Sequence, residues 1–194
     1  MSFIWSDQQL AIFDAIASGK SPVLKIKATA GASKTSSLTE AVARYKRIEP
    51  NAKVLYLVFG NLASKEARAE FSTNAIVSTL HAYAFSKVVK QYGLGEVKNF
   101  LTWQDIPKTV RRPFGKDAEI ISIIDDYCKS KFITMDSYVD SIEQDDFQFS
   151  LIPAVKQILN LMATGAMPIT HAFYLKLYHI LMGVYVQIVD NRCL

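Results

Sequence analysis

An α/β fold built on a parallel sheet, and interrupted by a mainly helical lobe, is what the order of segments in this chain predicts. Three observations carry it. The apolar run that begins at Val23 feeds a loop of small residues, which ends in Lys34-Thr35 and opens into the helix-forming run Leu38–Tyr45. Apolar and helical segments then alternate as strand, helix, strand, helix, strand, the pattern of a parallel sheet with right-handed crossovers. From Gly93 to about Gly165 the pattern changes to helical pieces with polar breaks.

Each element has a local reason. Ser6 can cap a helix running to Ile16, with Gln9 three residues on completing a capping box. Leu10, Phe13 and Ile16 share one helical face, and Gly19 stops it. Ser21-Pro22 turns the chain into the strand before the loop. After the next helix, Pro50-Asn51 turns into Val54–Phe59, a continuous apolar run suited to a strand covered on both faces. A helix from Ala63 to Phe71, a strand at Ala75–Ser78 and a helix from Leu80 to Gln91 follow. In the lobe, Ala118–Tyr127 and Ile152–Met162 are the clearest amphipathic stretches, with Trp103, Phe114, Phe132, Phe147 and Phe149 as packing residues. The last strand-like run is Gly183–Asp190. The expected division is therefore a first core segment over 1–92, a helical inserted lobe over 93–165 and a return to the core over 166–194.

Half the residues are hydrophobic, 50% of 194, so a sizeable core is expected. Cys128 and Cys193 are too far apart in sequence to suggest a disulfide framework or a zinc site. The N-terminus lacks the basic start and apolar run of a signal peptide, and no segment offers about 18 uninterrupted apolar residues. These features suit an intracellular protein, cytoplasmic or, in a eukaryote, nuclear, with no membrane partner. The net charge of +4 is unevenly spread. Residues 1–92 carry 12 Lys/Arg against 6 Asp/Glu, whereas 117–146 carry 2 against 9. A basic first half suits a polyanion, and the acidic block reads as a solvated face.

The chemistry concentrates in the loop. Small side chains let backbone N–H groups close around a triphosphate, and the helix start adds the positive end of its dipole. Lys34 would reach the β- and γ-phosphates and the Thr35 hydroxyl would hold Mg²⁺. The nucleotide-contacting run is Ala28, Thr29, Ala30, Gly31, Ala32, Ser33, Lys34, Thr35 and Ser36. The full pattern G-x-x-x-x-G-K-[ST] has glycine where this chain has Ala28 and Ser33.

The order of motifs from Ser6 to Phe85 resembles the N-terminal motor domain of superfamily 1 DNA helicases of the UvrD type, nearest the F-box helicase branch. Asp7-Gln8-Gln9 resembles that family's adenine-recognition motif, which puts Gln9 against the base edge. Residues 28–36 stand where the family has its phosphate loop. Leu57–Ala67 resembles the next motif, an aromatic and an asparagine at a strand end before an Ala-rich helix. Ser78–Phe85 resembles the Thr-x-His-aromatic motif after it. The resemblance implies a P-loop NTPase of the RecA-like class, ATP and Mg²⁺ as cofactors, and single-stranded DNA as partner. Phe59, Asn61, Lys65, Thr79, His81 and Tyr83 would contact the strand; Phe59 or Tyr83 would stack on a base. His81 has a second reading, a core histidine.

Thr170–Tyr178 resembles the segment that returns the family's chain to the motor sheet. The metal-and-water carboxylate pair should follow, and Asp190-Asn191 occupies that place. Asp190 would take the catalytic Mg²⁺ role beside Lys34, but Asn191 stands for the water-orienting glutamate, and an amide is no general base. The chain ends four residues after Asp190. The expectation is an ATP- and single-strand-binding motor part, truncated near the Walker B motif, that hydrolyses ATP poorly and does not unwind duplexes alone. The alternative is an inactive helicase-like protein that regulates or inhibits by binding DNA or a protein partner. A small-molecule P-loop kinase fits less well, because the motifs at Phe59 and Thr79 have no role there.

Overall fold

The computed structural model describes residues 4–20, 23–29, 31–72, 74–110, 116–142 and 146–182, with no side chains for 146–149. They form two compact units, Met1–Leu80 and His81–Leu194. Each is mixed helix and strand, and each holds a two-stranded parallel pair. Among the described residues no helix is long and apolar enough to cross a membrane.

The first unit begins with α1 (Asp7–Ser18), whose capping box forms as its sequence requires. The Ser6 Oγ accepts from the Gln9 N–H at 3.4 Å, and Gln9 Oε1 accepts from the Ser6 N–H at 3.0 Å. Gly19, at φ 57°, closes the other end with its N–H donating to the Ile16 carbonyl. Helix α1 packs on α2 (Lys34–Ile48) through Phe13, which is 2% exposed. Trp5 meets the Phe13 ring edge-on at 5.2 Å, and the Arg44 guanidinium lies 4.5 Å from that ring's centre.

Strand β1 (Leu55–Val58), helix α3 (Asn61–Phe71) and strand β2 (Ile76–Thr79) make one βαβ unit. The strands run parallel in register from Leu55 opposite Ile76 to Val58 opposite Thr79. Ala67, Phe71 and Val77 form its core, and Leu38 and Val42 of α2 pack against them. Phe71, fully buried, lies 4.3 Å from the Tyr56 ring. Burying such a phenyl contributes about 2–3 kcal/mol.

The expected strand ahead of the loop does not form. Residues 23–29 take no strand assignment, and Val23, Leu24 and Ile26 are 77%, 43% and 37% exposed. Apolar composition sets a tendency, but a strand exists only where a neighbour supplies the ladder bonds. This run belongs to neither of the described two-stranded sheets. The run Gly183–Asp190 lies outside the described residues, as do Ala30, Phe114, Asp190, Asn191 and Cys193. The described sheets are therefore two pairs, not one multi-stranded sheet.

Helix α4 (Leu80–Lys87) leads into the second unit and is followed by a four-residue α5 (Val89–Tyr92), so the helix expected over Leu80–Gln91 is broken at Val88. The second unit is then largely helical: α6 (Asp117–Lys129), α7 (Met135–Val139), α8 (Asp146–Ala163) and α9 (His171–Met182). Ile120, Val155, Ile158, Met162 and Ile169 are fully buried. Two short strands not anticipated from the sequence, β3 (Val97–Lys98) and β4 (Ile169–Thr170), pair in parallel. Gly95 lets these segments meet: a Cβ there would lie 3.1 Å from the Met167 carbonyl oxygen.

Lys176 of α9 is 3% exposed and satisfied inside the core. Its ammonium donates to the carbonyls of Ser130 at 2.6 Å and Phe132 at 2.9 Å, and lies 4.8 Å from the Tyr127 ring centre. Burial pushes its pKa down; the two carbonyls and the ring offset part of the desolvation. The neighbouring Cys128 thiol is pushed up to about 12 by burial, which makes it an inert core thiol.

Candidate phosphate loop and strand-end surface

The loop of small residues closes on itself at the foot of α2. The Ala32 N–H donates to the Thr29 carbonyl at 3.4 Å. Gly31, at φ 76°, and Ser33, at φ 49° and ψ 38°, both lie in the left-handed region. For Ser33 this conformation costs about 1–2 kcal/mol relative to a right-handed one, a penalty glycine would not carry. Ser33 thus takes a left-handed backbone at a position where the sequence pattern has glycine. It is also the N-cap of α2 and makes no side-chain cap bond, so no side chain there covers the first-turn N–H groups.

Lys34 folds back over the loop. Its Nζ donates to the carbonyls of Thr29 at 2.6 Å and Ala28 at 3.3 Å. Both contacts are exposed, so an anion entering the loop can take over the ammonium at little desolvation cost. A cavity of about 630 Å³ opens beside it, lined by Gln9, Ala28, Thr29, Ala32, Ser33 and Lys34 among others. Volumes of about 300–1,000 Å³ are usual for small-molecule sites. Gly31, Thr35 and Ser36 do not line it. The Thr35 side chain hydrogen-bonds Tyr56, whose phenol is raised chiefly by burial and lowered by that bond.

Gln9 is held at the cavity wall from both ends of its amide. Oε1 belongs to the capping box, and Nε2 donates to the Ser37 hydroxyl at 2.8 Å. Ser37 in turn donates to the Ser33 carbonyl at 2.9 Å. Sequence reasoning missed Ser37; its position one helical turn after Ser33 was the available signal.

The strand ends of the first unit gather a second set. Because Val58 and Thr79 are register partners, both chains leave the pair at one level. Phe59, immediately after β1, is 74% exposed. Asn61 opens α3, and Lys65, one turn on, is also exposed. Thr79 itself is buried at 8% exposure.

In the second unit, His81 and Tyr83 stand in an aromatic cluster with α9. The His81 ring lies 6.2 Å from His171 and 6.3 Å from Tyr174, and Tyr83 lies 6.1 Å from Tyr178. His171 Nδ1 is 3.0 Å from the Tyr174 hydroxyl. Burial, then repulsion from His171, lowers the His81 pKa. Among the described residues no group of three His, Cys, Asp or Glu is placed to hold a metal ion.

A 76-residue stretch of the chain is 36% identical to F-box DNA helicase protein 1 of Schizosaccharomyces pombe (strain 972 / ATCC 24843). It covers 39% of this chain and 8% of that protein, so the similarity to a helicase is local. No family model and no solved structure matches the chain.

Proposed function

We propose that this chain binds ATP with Mg²⁺ at the loop 28–36 and single-stranded DNA at the strand ends of β1 and β2, as a UvrD-type helicase motor part of RecA-like ancestry does. The observation that carries the reading is the left-handed Ser33 at the start of α2, with Lys34 drawn over the loop beside the Gln9-lined cavity. That backbone is already shaped to present first-turn N–H groups to an anion, and Lys34 needs only to exchange two exposed carbonyls for phosphate oxygens. The local similarity to a helicase protein supports the same assignment. Mg²⁺ would supply charge neutralisation on the β- and γ-phosphates, with Thr35 and Asp190 as its protein ligands. Thr35 would then give up its bond to Tyr56.

Asn191 favours binding without efficient turnover, because its amide takes no proton from an attacking water. The protein would then act by occupying DNA or by docking on a partner. Isothermal titration of Mg·ATP into the protein tests the nucleotide part. Lys34→Ala is expected to weaken binding by about tenfold or more, through loss of a charge-assisted contact. Ser33→Gly, which relieves the left-handed strain, should leave binding intact or tighten it. Absence of heat with the wild type, at millimolar ATP, overturns the reading.

A further inference from the structure

Gln9 lines the cavity of about 630 Å³ beside the phosphate loop, and its amide is already engaged there. Oε1 accepts two hydrogen bonds, from the Ser6 N–H at 3.0 Å and from the Ser6 hydroxyl at 3.1 Å. Those two bonds use both lone pairs of the amide oxygen. Nε2 donates one N–H to the Ser37 hydroxyl at 2.8 Å, and that hydroxyl donates onward to the Ser33 carbonyl. The amide cannot turn over within this network, because the Ser6 N–H only donates and would then face an NH₂ group. What the amide can still offer a ligand is one donor, the second N–H of Nε2, and no acceptor.

That inventory decides which bases the cavity can tell apart. Adenine and guanine share an acceptor at N7 and differ at position 6, where adenine carries an amino donor and guanine a carbonyl. One N–H meets the N7 of either purine. Choosing adenine needs an acceptor for its amino group, and Oε1 is spent on the cap of α1. Withdrawing it trades one bond for another. A neutral hydrogen bond is worth about two- to tenfold in an equilibrium, and loss of a helix cap costs about two- to thirtyfold. The cap loss matches or exceeds the gain. Gln8 and Lys27 also line the cavity, but both are exposed, and no hydrogen bond among the described residues fixes either in place.

We infer that the site holds the N7 edge of a purine nucleoside triphosphate through Gln9 and does not choose between adenine and guanine. The inference rests on the nucleotide-binding reading of the loop and adds the base specificity to it. Isothermal titration of the full chain with Mg·ATP, Mg·GTP and Mg·7-deaza-ATP tests it. ATP and GTP should bind within about fivefold of each other. The 7-deaza analogue, which lacks N7, should bind about two- to tenfold more weakly than ATP. Gln9→Ala should weaken ATP and GTP alike and remove the penalty for the analogue. Ser6→Pro suits the observed φ of −71° and deletes both donors to Oε1, so the freed oxygen should give ATP an advantage over GTP. Circular dichroism checks that each variant folds, and the wild-type comparison decides the matter if Ser6→Pro does not. A wild-type preference above about tenfold for either purine overturns the inference and leaves the loop reading intact. Equal binding of ATP and 7-deaza-ATP does the same, as does a folded Ser6→Pro protein whose ATP-to-GTP ratio has not moved. Absence of binding by all three nucleotides overturns the loop reading and this inference with it.

Discussion

Ser33 carries a side chain in a left-handed conformation at the one place where the phosphate-loop pattern has glycine. The residue type departs from the motif, and its left-handed conformation comes at a cost the surrounding helix start must cover. Histidine chemistry at the same scale gives a pH prediction. His81 is held below the ordinary histidine value of 6.5 by burial and by His171, and His179 is lowered by burial and by Lys176. As pH falls, the unfolded chain takes up these protons first, so stability is present above 6.5 and is lost as pH drops toward the folded pKa values. Urea melts between about pH 7.5 and 5, where few other side chains titrate, should show a falling midpoint. His81→Phe should reduce that fall; an unchanged pH dependence contradicts the assignment.

Elements that depend on neighbours in sequence were legible, and those that depend on distant partners were not. The capping box of α1 follows from Ser6 and Gln9 alone, and the α6 and α8 amphipathic patterns follow from their own period. The run from Val23 is apolar enough for a strand, but it joins neither of the described sheets. The two-residue strands β3 and β4 are too short to leave a period, and their meeting depends on the absence of a side chain at Gly95. The βαβ unit, by contrast, rests on one fully buried ring. Phe71→Ala should cost about 3–5 kcal/mol, read as a shift in urea midpoint, because the cavity it leaves lies between α3 and β1. A loss below about 1 kcal/mol would mean that this core collapses around the gap.

Across the whole molecule, charge is unevenly divided along the chain. The basic excess of residues 1–92 and the acidic block of 117–146 were plain in the sequence. A cavity between Phe100 and α6 was not, because its walls come from segments far apart in the chain. Nor did the sequence tell that Thr79 is buried while Phe59 stands open at the neighbouring strand end. If Phe59 is the stacking platform of the basic half, Phe59→Ala should weaken oligothymidylate binding by about 1–3 kcal/mol. The remaining binding should fall as salt rises, as expected for Lys65 and other cations releasing counterions. Binding that is unaffected by both changes would remove the strand-end surface from the account.

Hydrogen–deuterium exchange with and without Mg·ATP tests the phosphate-loop assignment most directly, because it reports where the ligand sits. Protection of amides from Thr29 through Ser37, lost in Lys34→Ala, is the predicted result. Nucleotide-dependent protection confined to other segments, with this stretch exchanging unchanged, would contradict it.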